Sequence, residues 1–144
     1  MTYELAKQLQ EAGFPQDYKA GDSVFFQWRK NPDVWKSVVV THHGSEHDDC
    51  GYGKCECECS VCYPHGNKNA IKIPTLSELI EACGETFGLL ERDKNTGAWY
   101  CVSDIDTDGK TNAEGSYSAA LTPEEAVAKL WLALKASAAS EQPS

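Results

Sequence analysis

The run His42 to Gly66, HHGSEHDDCGYGKCECECSVCYPHG, constrains this chain more than any other feature. It holds five of the seven cysteines and all four histidines. It has no hydrophobic period and little to bury beyond Tyr52, Val61 and Tyr63. Such a segment cannot offset its ordering entropy with an apolar core, so it needs a cross-link or a bound ion to hold a shape. A disulfide framework fits the density but not the odd cysteine count, the interleaved histidines or the lack of a basic, apolar secretory pattern at the N-terminus. Thiolate and imidazole together suit a soft or borderline metal, zinc above all.

The spacing suggests how the ligands converge. Cys55, Cys57 and Cys59 alternate with Glu56 and Glu58. In an extended stretch three thiols would project to one side and two carboxylates to the other. Cys59 and Cys62 have the C-x2-C spacing of a zinc knuckle, and Cys50 returns across the turn Gly51-Tyr52-Gly53-Lys54. The expected ligands are Cys50, Cys55, Cys57, Cys59 and Cys62, with His65 and His47 in reserve. They serve one zinc, or two sharing a bridging thiolate. Four cysteines would close the coordination sphere, which makes the site structural. The C-x4-C-x-C spacing misses the C-x4-C-x2-C ferredoxin pattern. The alternative is an open site completed by histidine, with a water as fourth ligand. Cys83 and Cys101 stand apart from this cluster, within a predicted helix and a predicted strand, and read as small buried hydrophobes.

Outside this run the chain is regular. A helix is predicted over 3–12, capped by Thr2 and ended by Gly13. Val24 to Arg29 and Val34 to Val40 read as a hairpin across Asn31-Pro32-Asp33. Thr75 and Glu78 make a capping box before the stripe Leu76, Leu79, Ile80 and Cys83. Phe87 to Arg92 and Ala98 to Asp104 read as a second hairpin, with a short strand near Gly115 to Ala119. Thr122, Pro123 and Glu125 open a last helix whose stripe is Ala126, Val127, Leu130, Trp131 and Leu134. The expected fold class is α+β: an antiparallel sheet of two hairpins with three helices (α-β-β-α-β-β-α), plus a metal-stabilised Cys/His insertion. One domain over 1–144 is expected, with 41–70 the zinc-binding insertion and 136–144 a flexible tail. Strand Val34–Val40 would enter the insertion and Ile71–Ile73 leave it, so that the module protrudes as a rigid lobe. The four tryptophans, Trp28, Trp35, Trp99 and Trp131, fall within these elements and read as core.

Other chemistry is thin. Asp104, Asp106, Asp108 and Gly109 match the first half of a calcium loop. Position 12 falls on Gly115 and a strand precedes the run, so it reads as an Asp/Gly turn rather than a Ca2+ site. Phosphate-binding glycine loops, G-x-S-x-G and H-E-x-x-H do not occur. The net charge is −9 and no Lys/Arg cluster exists, which argues against gripping nucleic-acid backbones. The longest apolar runs are far too short to span a bilayer, and a cytosolic setting is expected.

The blocks Pro74-Thr75-Leu76-Ser77-Glu78-Leu79-Ile80-Glu81-Ala82-Cys83 and Thr122-Pro123-Glu124-Glu125-Ala126-Val127-Ala128-Lys129-Leu130-Trp131-Leu132-Ala133-Leu134 resemble a family of small uncharacterised proteins of bacteriophages and prophages of gut bacteria. Glu4 to Leu9 and Ala12 to Gln16 are similar too, whereas the Cys/His run departs from that pattern. The resemblance implies a phage or mobile-element origin and transfers no functional residue. The expectation is a non-enzymatic, zinc-binding accessory protein acting by protein–protein contact, with a basic host protein as the target that acidic charge suits. The alternative is a small metal-dependent enzyme or ligand-binding protein with an open Cys/His zinc site.

Overall fold

The computed structural model describes residues 1–19, 21–27, 34–39, 70–103 and 117–140. They form an α+β protein of three helices and two small antiparallel sheets. The chain divides into two units: Met1–Phe14 with Pro74–Ser144, and Pro15–Ile73.

In the first unit, α1 (Tyr3–Glu11) starts where the Thr2 hydroxyl accepts the Leu5 amide, 3.3 Å away. It stops in a Schellman turn. Gly13 takes φ +86°, and the Phe14 and Gly13 amides bond back to the carbonyls of Leu9 and Gln10. Helix α2 (Leu76–Cys83) carries a complete capping box. The Thr75 amide donates to Glu78 Oε2 at 2.8 Å, and the Glu78 amide donates to Thr75 Oγ1 at 3.3 Å. Gly84, at φ +59°, then turns the chain through a short 3-10 segment, Gly84–Thr86. Helix α3 (Pro123–Ser140) begins with the Glu125 amide donating to Thr122 Oγ1, while the Glu125 carboxylate lies 3.6 Å from the Met1 ammonium.

The sheet of this unit has the order β4-β5-β6, from Phe87–Arg92, Trp99–Ser103 and Tyr117–Ala120. Helix α3 packs on β5 and β6 and carries α1 and α2 on its other sides. Leu9, Leu79, Val127, Leu130 and Cys101 are fully buried between them, each apolar side chain contributing about 1.5–3 kcal/mol of transfer free energy. Phe14 meets Trp131 edge-on, ring centroids 5.2 Å apart. On the opposite sheet face Leu89 and Tyr117 are exposed in one cross-strand row through Val102.

The second unit is built on β1 (Ser23–Gln27), β2 (Trp35–Val39) and β3 (Ala70–Ile73), in the order β2-β1-β3. Both neighbours run antiparallel to β1, so β2 and β3 are parallel to each other.

Several expectations change here. The two hairpins do not share one sheet; each recruits its own third strand, β3 on the free side of β1 and β6 on the free side of β5. Residue 70, expected in the insertion, already belongs to β3. Helix α3 continues to Ser140, past the end of its apolar stripe, because Ala136, Ala138 and Ala139 are strong helix formers. Trp131 is buried, Trp35 and Trp99 are half-buried, and Trp28 lies outside the described residues. The Asn31-Pro32-Asp33 turn and residues 141–144 of the expected tail also lie outside them.

Candidate metal centre

The Cys/His segment follows β2 and precedes β3 in the chain. The β1 pairings place those two ends. Val39 stands opposite Ser23, whereas Ala70 stands opposite Phe26 on the other side of β1. Departure and return are therefore two strand spacings apart across the sheet and three residues apart along it. At about 4.8 Å per strand and 3.3 Å per residue the diagonal is roughly 14 Å. These are not the paired stems of a hairpin.

The return strand is anchored by a side chain that sequence reasoning missed. Lys72 is only 7% exposed. Its Nζ donates to the Asp17 carbonyl at 2.7 Å and lies 4.0 Å from Asp22 Oδ2, and its amide donates to Gln16 Oε1 at 3.1 Å. Asp22 in turn accepts the Lys19 amide at 2.9 Å. One lysine thus ties the 16–22 stretch to β3. Alternation within Ile71-Lys72-Ile73 would aim Lys72 at solvent, and the only signals against that reading are the acids Asp17 and Asp22 far upstream. The geometry is what a buried cation requires, a carbonyl and a carboxylate at its head group.

Cys50, Cys55, Cys57, Cys59, Cys62, His47 and His65 lie outside the described residues, as do His42, His43 and the Asp104/Asp106/Asp108 run. Among the described residues no group of three or more His, Cys, Asp or Glu side chains could hold a metal.

The two remaining thiols sit in the core of the first unit, on α2 and β5. Burial pushes the Cys83 thiol up to about 11. Burial also lifts Cys101 to about 11, helped by the neighbouring Cys83. Both are free and stay protonated at neutral pH, so neither is a ready nucleophile or ligand. Asp93, in the β4–β5 turn, is held below the ordinary carboxylate range by the Asn95 amide at 2.7 Å and by Thr96. That is turn chemistry, in which the side chain caps the backbone two residues on.

Comparison of the chain with protein-family models, with characterised proteins and with solved structures finds no match. What the coordinates define is an α+β chain in two units, one of which carries the departure and return of a cysteine-rich segment. No helix among the described residues is long and apolar enough to cross a membrane.

Proposed function

We propose that this chain is a non-enzymatic, zinc-binding accessory protein of phage or mobile-element origin that works in the cytosol by binding another protein. The observation that carries the reading is the packing of five cysteines into residues 50–62, with a knuckle spacing at Cys59 and Cys62. Four of Cys50, Cys55, Cys57, Cys59 and Cys62 close a tetrahedral sphere and leave no position for substrate, with the fifth idle or bridging. The burial of Cys83 and Cys101 in the core of the first unit supports assigning the ligands to that segment alone.

The charge supports the partner class. Glu46, Asp48, Asp49, Glu56 and Glu58 cluster around the same cysteines in a chain of net charge −9. A metal-stiffened acidic surface favours a basic protein and steers encounter in a salt-dependent way. Inhibition of a basic, nucleic-acid-binding host protein is the role this best suits.

Elemental analysis of protein purified without added metal tests the first half. One to two zinc ions per chain are expected, and a content well below one defeats the proposal. The double variant Glu56→Lys/Glu58→Lys tests the second half, since it leaves every thiol in place. Capture of basic host proteins should fall sharply, and unchanged capture would rule out the acidic surface as the docking element.

A further inference from the structure

Among the described strands, β2, β3, β4 and β6 each stand at the end of a sheet. Three of them carry what commonly keeps an edge from pairing with another chain. β2 holds Lys36, β3 holds Lys72, and β4 holds Glu91 and Arg92 with a register shift between Phe87 and Leu89. β6, Tyr117–Ala120, has no charged residue and no proline, and it keeps an unbroken register with β5. The run Tyr117-Ser118-Ala119-Ala120-Leu121 is large at both ends and small between. Its two ends are the most exposed large apolar side chains of the described residues, Tyr117 at 59% and Leu121 at 82%. Exposed apolar groups gathered in one place mark a contact surface.

The size pattern reads the same in both directions about Ala119. Two such strands paired antiparallel about that residue set each Tyr117 beside the other copy's Leu121. A two-fold contact requires this, since one patch must be its own complement. Charge selects the same occupant. A basic or an acidic partner finds no counter-charge on this strand, whereas two copies of a chain of net charge −9 meet here without like charges opposite one another. We infer that β6 is a strand-pairing edge for a second copy of this chain, antiparallel about Ala119. Lys129 on α3 holds that pairing in check. It is exposed, and its Nζ donates to the Ala119 carbonyl at 3.1 Å, where a lysine opposes a strand coming alongside. The strand is short, so the contact belongs with the transient ones that bury less than about 1,200 Å² in total. None of this depends on zinc or on the acidic docking surface.

Sedimentation equilibrium of the full chain tests this, with reductant and chelator present so that neither a disulfide nor a metal links two copies. The mass should rise reversibly toward twice the monomer value as concentration increases to about 1 mM. Association should be tighter at about 0.5 M salt than at about 0.05 M, because two acidic copies repel. Docking on a basic protein has the opposite salt dependence, so the two contacts are told apart. Leu121→Lys should weaken association about tenfold or more, and Lys129→Ala should strengthen it severalfold. Loss of folding would not move two exposed positions in opposite directions. Leu89→Lys, on β4 at the other edge of the same sheet, should associate as the parent does. A monomer at every concentration in both the parent and the Lys129→Ala chain overturns the inference. So does a Leu121→Lys chain that associates like the parent, or a Leu89→Lys chain weakened as much as Leu121→Lys.

Discussion

Three buried polar or ionisable side chains carry the sharpest expectations. Lys72 holds a cation under cover with a carbonyl at 2.7 Å and a carboxylate at 4.0 Å. Truncation to Ala would leave the Asp17 carbonyl without its donor and the Asp22 carboxylate without its cation, at a cost on the order of 2 kcal/mol in the second unit. Urea unfolding followed by exchange in β1–β3 measures it. Cys83 and Cys101 make a pH prediction. The unfolded chain releases thiol protons near pH 9, while the folded chain keeps them to about pH 11. In that window the unfolded state binds fewer protons, so stability falls as pH rises and is fully present below pH 9. Urea midpoints at pH 8, 9.5 and 10.5 should decline more steeply for the parent chain than for a Cys83→Ala/Cys101→Ala variant. Iodoacetamide at pH 8 should leave both core thiols unmodified in the native protein.

Helix boundaries were the most legible elements because their signals are local. Thr2 with Gly13, Thr75 with Glu78, and Thr122 with Pro123 each satisfy or forgo backbone bonds within a few residues, and the structure puts helix ends at those positions. Two substitutions exploit this. Thr75→Ala removes half of a reciprocal cap and should cost about 1 kcal/mol. Gly13→Ala meets no atom within 4 Å of the new Cβ, so its cost, also about 1 kcal/mol, comes from the positive φ rather than from a clash. Gly13→Asn should recover part of that loss, and thermal unfolding of the two variants checks it. Sheet membership was much less legible. Nothing local says that Ala70–Ile73 docks on the free side of β1, or that Tyr117–Ala120 completes the other sheet, because partner choice is a long-range property that short strands barely encode. The same limit hid Lys72, whose partners lie at Asp17 and Asp22. The cysteine spacing was visible at once, since it is a feature of a few consecutive residues.

Considered together, the two units respond differently to loss of the cysteine-rich segment. The first unit draws its core from α1, α2, α3 and β5. In the second unit residues 40–69 connect β2 to β3. Replacing residues 40–69 with Gly-Gly leaves three Cα–Cα steps between Val39 and Ala70, a reach of at most about 11 Å. The diagonal between those positions is roughly 14 Å, and β1 stands in the way. If β2 and β3 were adjacent antiparallel strands, a Gly-Gly link would instead close them into a tight hairpin at little cost. The excised chain is therefore expected to lose slow exchange throughout Ser23–Gln27 and Ala70–Ile73. Its α2, α3 and β4–β6 peptides should exchange as in the parent, and Trp131 should keep a buried emission spectrum. Retention of slow exchange in all three strands of the second unit would mean that β3 does not lie across β1 from β2. Loss of protection in α3 would mean that the first unit does not stand on its own core.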